Sequence, residues 1–265
     1  MRSLHVSALV ALIACTNASE AADWRYAIGI HDIVVPDVDS QTYGLDISAS
    51  FDEQTRSDRH WDGSVDLFLD RDKDHLDPDH IPVWWQVHLG TDADLWRAGK
   101  VYVGWAADMN TRMNTVSSVE RQITALPKLI AGFDGTRVRT SLRAGAGWFF
   151  LEIDDDVPKT RGYDRDDFRN SEFACTLIAD GAIRLGTSWT LSGQAQQWWD
   201  THQWLQTTFK AAVRMDASDS RPGSGFEFSA DYNHYNLDVY ARPDLLPILP
   251  WDDDLVVRLS FSTHW

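Results

Sequence analysis

The stretch that most constrains this chain is its last eleven residues, Leu255 to Trp265, which read L-V-V-R-L-S-F-S-T-H-W. Side chains alternate across an extended strand with period two. Leu255, Val257, Leu259, Phe261, Thr263 and Trp265 therefore share one face, and Val256, Arg258, Ser260, Ser262 and His264 share the other. An amphipathic strand that ends on an indole has little use in the packed core of a soluble domain. It has a clear use in a closed sheet whose apolar side faces lipid, with an aromatic ring at the membrane interface.

This segment resembles the C-terminal signature of Gram-negative outer-membrane β-barrel proteins, in which apolar residues alternate up to a final Phe or Trp. The resemblance implies a bacterial outer-membrane location, a final strand that closes the sheet against the first, and contact with the barrel assembly machinery. It also implies outer-membrane lipid and lipopolysaccharide as surroundings. It names no particular family.

Export is expected on independent grounds. Arg2 supplies positive charge, Val6 to Ala14 is apolar, and Ser19-Glu20-Ala21 offers small residues for cleavage. Residues 1–21 read as a signal peptide, leaving residues 22–265 as one barrel domain. Leu12-Ile13-Ala14-Cys15 also resembles a lipoprotein cleavage box, which would make residues 1–14 the leader. Cys15 then lies in or beside the leader, so no disulfide with Cys175 is expected.

The rest of the chain is a succession of alternating strands. The first runs from Trp24 to Val34, the second from Gln41 to Phe51 and the third from Trp61 to Asp70. The fourth runs from Ile81 to Leu89 and the fifth from Lys100 to Asp108. Leu126 to Phe133 is the weakest element, because Pro127 suits no strand interior, and Val116 to Ala125 reads as helical. Asp134-Gly135-Thr136 marks a tight turn into a seventh strand, Arg137 to Ile153. Asp180-Gly181 marks another, between an eighth strand, Phe168 to Ala179, and a ninth, Ala182 to Gln197. Trp204 to Asp216, Gly225 to Tyr240 and the closing strand complete about twelve, and an offset of two strands gives ten. The expected fold is all-β, a transmembrane antiparallel up-and-down barrel. A soluble β-sandwich explains the alternation equally well, but not the even parity or the terminal tryptophan. No run of about 18 apolar residues is present, so a spanning helix is excluded.

Connections add a topology. With the first strand rising from the periplasm, both tight turns fall on the periplasmic side. The acidic stretches Asp70 to His80, Met109 to Ala125, Glu152 to Asp167 and Pro243 to Asp254 fall outside. The stretches Asp52 to His60 and Asp216 to Ser224 are long for periplasmic turns. Thirteen tryptophans then supply two interface girdles. Trp24, Trp61 and Trp265 belong to the periplasmic one, and Trp105, Trp148, Trp198 and Trp204 to the outer one.

Function is sought on the inward faces. Asp46, Asp62, Asp66 and Asp70 form an acidic set on the second and third strands. Arg137, Arg139, Arg143, Arg184, Lys210, Arg214 and Arg258 form a basic set on strands seven to twelve. Separated walls would lay a transverse field across a water-filled lumen and select small polar or charged solutes. Paired walls would fill it, and Glu227 and Asp231 stand ready to neutralise part of the basic set. The formal charge of −16, with no basic stripe, excludes nucleic acid as a partner. A narrow passive channel is the expected function. A lipid- or envelope-modifying enzyme, or a structural barrel with a plugged lumen, are the alternatives.

Other motifs are weaker. Asp70-x-Asp72-x-Asp74 lacks the glycine and the glutamate of a calcium loop, with His75 and Ile81 in their places. His31, His75, His80 and His88 lack zinc spacing. Asn233-His234-Tyr235-Asn236 places a histidine on a lipid-facing strand, as in outer-membrane phospholipases, but no serine shares its face. Ser260 on a neighbouring strand is the remaining nucleophile to weigh. No cofactor or metal is expected, and the sequence does not set an oligomeric state.

Overall fold

A computed structural model describes residues 23–36, 40–55, 59–71, 83–113, 119–153, 169–217, 224–240 and 252–264. Twelve strands follow in order: β1 Asp23–Val35, β2 Ser40–Gln54, β3 Arg59–Arg71, β4 Val83–Ala98, β5 Val101–Met113 and β6 Val119–Asp134. The second half is β7 Val138–Ile153, β8 Arg169–Leu185, β9 Trp189–Trp199, β10 Trp204–Asp216, β11 Gly225–Tyr235 and β12 Asp253–His264. Each strand pairs antiparallel with its sequence neighbours, and β12 returns to β1, so the sheet is a closed barrel. Register pairs such as Ile28↔Phe261 and Ile30↔Leu259 seal that seam. Closure removes the unpaired edges that no lipid-exposed sheet can keep.

The alternation sets the two surfaces. Ile28, Ile30, Leu45, Leu129, Phe173, Phe228 and Leu259 point outward and are exposed. His31, Asp46, Lys128, Thr176, Asn233 and Ser260 point inward and are buried. An apolar outside around a polar inside is the arrangement of a transmembrane barrel, the reverse of a soluble one.

Several boundaries differ from the sequence reading. Asp180-Gly181 is not a turn. Both residues lie inside β8, where Gly181 pairs with Thr140 and Gly193, and Asp180 Oδ2 accepts from Ser141 Oγ at 2.6 Å. The chain turns instead at Gly186, whose φ of +74° suits a residue without a Cβ. Gly99, at φ +61°, does the same between β4 and β5. Those two strands absorb residues 90–98 and 109–113, which read as connections. Val119 to Ala125 is strand rather than helix, because Gln122, Thr124, Leu126 and Lys128 alternate inward. Pro127 sits within β6 and faces out, exposed. Its ladder to β7 lapses between Ala125↔Trp148 and Lys128↔Gly145 and resumes in the same register. β11 stops at Tyr235, and Leu237–Tyr240 is a short 3-10 turn.

β1 begins and β12 ends at one rim, the terminal rim. Turns at Thr55, Gly99, Gly135 and Gly186 lie there too. The connections after Arg71, Ile153 and Tyr235 lie at the distal rim. The β9–β10 turn at that rim is organised by Asp200, which accepts from the backbone N–H groups of His202 at 2.5 Å and Gln203 at 2.7 Å. Slight burial works to raise its carboxyl pKa, but those N–H groups win and hold it below the usual range.

Candidate functional site: the barrel lumen

The lumen has two halves of different chemistry. In the half toward the terminal rim it holds a cavity of about 760 Å³. Its walls run from Arg139 and Glu227, a few residues from the terminal turns, up to Arg112, Trp198 and Asn233. Most of that wall is polar. In the distal half the inward positions turn apolar. Phe149, Leu151, Ile153, Ala174, Trp198, Leu205 and Tyr235 form one buried cluster. Ile33, Phe68, Trp84 and Val256 form a second. Phe68 and Trp84 stack with centroids 3.7 Å apart, and Phe149 and Trp198 meet at 5.2 Å.

Arg112 on β5 joins the two clusters. Its Nη1 donates to Tyr235 Oη on β11 at 2.7 Å, and its Nη2 lies 3.1 Å from Asp254 Oδ2 on β12. Its guanidinium carbon stands 5.5 Å from the centre of the Trp84 ring. β11 is the sixth strand from β5 in either direction, so this contact spans the lumen. Just beneath it, Gln122 Nε2 on β6 reaches Gln206 Oε1 on β10 at 2.5 Å. Gln206 and Thr208 in turn donate to Asn233 Oδ1 at 3.2 and 3.0 Å. A charged layer over an amide layer thus crosses the barrel between the cavity and the apolar half.

The four acidic residues singled out by sequence all face inward. Asp46 and Asp66 share Arg258, at 2.5 and 2.9 Å. Asp70 Oδ1 meets His31 Nε2 at 2.5 Å and accepts from Trp84 Nε1 at 3.2 Å. Asp62 Oδ2 meets His88 Nε2 at 2.6 Å. His31 itself is completely enclosed, with Asp46 at 3.7 Å on its other ring nitrogen.

The basic set is not a free wall. Arg143 pairs with Asp180 at 3.2 Å, Lys210 with Asp231 at 3.3 Å, and Arg139 with Asp134 at 3.0 Å. Arg214 lies 3.1 Å from Asp216 and 3.9 Å from Glu227. The anticipated neutralisation by Glu227 and Asp231 is present. Arg137 lies in the β6–β7 turn, before the strand begins, and Arg184 lies one residue from the end of β8. Both are exposed at the terminal rim and neither lines the cavity. The sequence reading missed Lys128, which is buried against Asp108, and Arg112.

Interface aromatics are corrected at two positions. Trp198 faces inward and is buried, and its neighbour Trp199 takes the lipid-facing place. Trp105 stands four residues beyond Val101 at the terminal rim rather than at the outer end, because β5 continues to Met113. Trp61, Trp148 and Trp204 are exposed on the outer face, and Trp24 is half-exposed, 5.4 Å from Phe51. Trp265 lies outside the described residues, as do Asp72, Asp74, His75 and His80.

His234 faces outward on β11. Its Nδ1 meets Asp253 Oδ1 at 2.6 Å, and its ring stacks on Trp204 at 4.8 Å. Ser260 faces inward on β12 and is buried, so it is on the wrong side of the sheet to act with this histidine. His60 with Asp62 and Asp92, and His234 with Asp252 and Asp253, have donor atoms spaced closely enough to hold a cation. In both groups the histidine is already bonded to a carboxylate.

No protein-family model and no curated protein matches the chain. Solved structures do. An outer membrane channel from Pseudomonas putida F1 superposes with a TM-score of 0.50 at 10% identity, covering 95% of this chain and 98% of that one. The NanC porin gives 0.47 at 12% identity, covering 91% and 99%. The KdgM porin gives 0.48 at 7%, covering 90% and 99%. At such identities the likeness shows the fold alone. That fold is the outer-membrane β-barrel, which agrees with the class read from the chain's own faces.

Proposed function

We propose that this chain is a narrow passive channel of a bacterial outer membrane, passing small polar or charged solutes. The observation that carries the proposal is the polar cavity of about 760 Å³ enclosed by a barrel whose outer face is apolar. Such a wall replaces part of a solute's hydration shell, and the barrel supplies the membrane crossing. Arg112, Tyr235 and Asp254 form the constriction. They are held by hydrogen bonds and an ion pair, not by covalent structure, so the layer is able to rearrange. Residues 1–21 direct export, or residues 1–14 if Cys15 is the lipidated residue. The assembly machinery inserts residues 22–265, and lipopolysaccharide surrounds the exposed rim. Swelling of proteoliposomes in isosmotic arabinose or glycine tests this reading. Uptake through reconstituted protein supports it, and swelling no faster than in protein-free vesicles contradicts it.

A further inference from the structure

We infer that the lumen conducts cations in preference to anions, because one side of its wall holds carboxylates whose direct partners are imidazoles rather than lysine or arginine. The inference rests on the channel reading and names the class of solute that the channel favours.

The two sides of the wall spend their charges differently. On β5–β11 the bases come with acids of their own: Lys128 with Asp108, Arg143 with Asp180, Lys210 with Asp231, and Arg214 with Asp216 and Glu227. On β2–β4 the balance fails. Asp46 and Asp66 share the single guanidinium of Arg258. Asp52, Asp62 and Asp92 have no lysine or arginine within 4.0 Å among the described residues, and Arg143 and Lys128 act on Asp62 only from beyond that distance. Their partners are imidazoles.

Those imidazoles link the carboxylates into a path. His60 Nε2 lies 3.0 Å from Asp52, and its Nδ1 lies 2.9 Å from Asp92 and 3.9 Å from Asp62. His88 lies 2.6 Å from Asp62 and 2.8 Å from Asn110 Oδ1. Asn110 Nδ2 points on toward Thr124 Oγ1 at 3.5 Å. Asp52 stands near the terminal rim and is 69% exposed, Asp92 is 41% and Asp62 35%, whereas His88, Asn110 and Thr124 line the cavity. The path therefore leads from the mouth to the blind end. Each of these links sets an imidazole, rather than a fixed cation, against the carboxylates. A low-dielectric wall around water focuses the remaining negative field and concentrates cations. Arg137 and Arg184 stand at the exposed rim beyond the cavity, where salt screens them most.

The test is the reversal potential of the refolded full chain in a planar bilayer across a KCl gradient at pH 8. It is read for the native protein, for Asp62→Asn with Asp92→Asn, and for each of these combined with Arg112→Gln and Asp254→Asn. That last pair removes one positive and one negative charge together. It therefore loosens the constriction without changing the net charge of the wall. The expected result is a potential of the sign for potassium preference in the native channel, moving toward zero in the Asp62/Asp92 variant. The Asp52→Asn variant, at the exposed mouth, should move it in the same direction by less. Conductance with chloride preference, or a potential that the Asp62/Asp92 change leaves unmoved, overturns this inference and leaves the channel reading standing. Silence in the native and loosened proteins alike overturns both.

Discussion

Arg112 Nη1 donates to Tyr235 Oη at 2.7 Å, from strands on opposite sides of the ring. The contact bridges the lumen at that level. It also divides a polar, water-accessible half from an apolar, packed half. Arg112, Tyr235 and Asp254 are all buried, so their charges and hydroxyl depend on one another for solvation.

The first prediction follows from that dependence. Arg112→Ala leaves the Asp254 carboxylate buried without its cation, an arrangement that costs about 3–5 kcal/mol. The loss should appear as a lower urea midpoint for the protein folded in lipid vesicles. Arg112→Gln with Asp254→Asn should recover most of it, since no buried charge is left alone. Equal losses for the single and double variants would show that the pair does not act as a unit.

The barrel seam makes a second prediction. Gly29 lies beside the buried Asp46 carboxylate, and a Cβ there would meet Asp46 Oδ2 at 2.7 Å and Leu259 O at 2.8 Å. Asp46 is held by Arg258 and cannot simply swing away. Gly29→Ala should therefore loosen the β12–β1–β2 seam, seen as loss of the heat-modifiable gel band at a lower temperature. A native-like transition would place the Asp46 network elsewhere.

Lipid contact gives a third. Leu259 is exposed near the middle of β12 and pairs with Ile30 and Phe228. Leu259→Arg should cost about 2–4 kcal/mol, the depth-dependent penalty for a cation on the lipid face. Phe261→Asp and deletion of Trp265 should reduce assembly into the outer membrane as well. Normal levels of folded Leu259→Arg protein would mean that this face does not meet lipid.

Orientation gives a fourth. The connection between β3 and β4 leaves the distal rim, and the turn at Gly135 leaves the terminal rim. An epitope inserted at Asp77 should bind antibody on intact cells, and one at Gly135 only after the envelope is opened. The opposite pattern would invert the topology.

Much of this fold was legible because period-two alternation reports each strand's two faces directly. The inward placement of Asp46, Asp62, Asp66, Asp70 and Arg258 followed from that alone. Alternation fails where both faces are apolar. Trp148 to Ile153 reads W-F-F-L-E-I, and there Phe149, Leu151 and Ile153 fill the distal lumen while Trp148 and Phe150 flank lipid. That run was the available signal for the packed half, and it passed as an ordinary strand. Trp198 and Trp199 posed the same problem, since either fits lipid. The β8–β9 register decides between them, pairing Trp198 with the inward Thr176 and Trp199 with Cys175. Pairing was beyond reach for another reason. Arg258 and Asp46 are 212 residues apart, and Arg112 meets Tyr235 across the lumen, so only closure of the ring brings them together.

Single-channel recording in a planar bilayer tests the central claim most directly. The native protein should give small, discrete conductance steps, because the Arg112 layer and the apolar distal half narrow the path beyond the polar cavity. Arg112→Gln with Asp254→Asn should enlarge those steps several-fold while the folded barrel persists by gel mobility. Folded, inserted protein that shows no steps in either form would contradict the account, and the apolar distal half would then be a permanent plug.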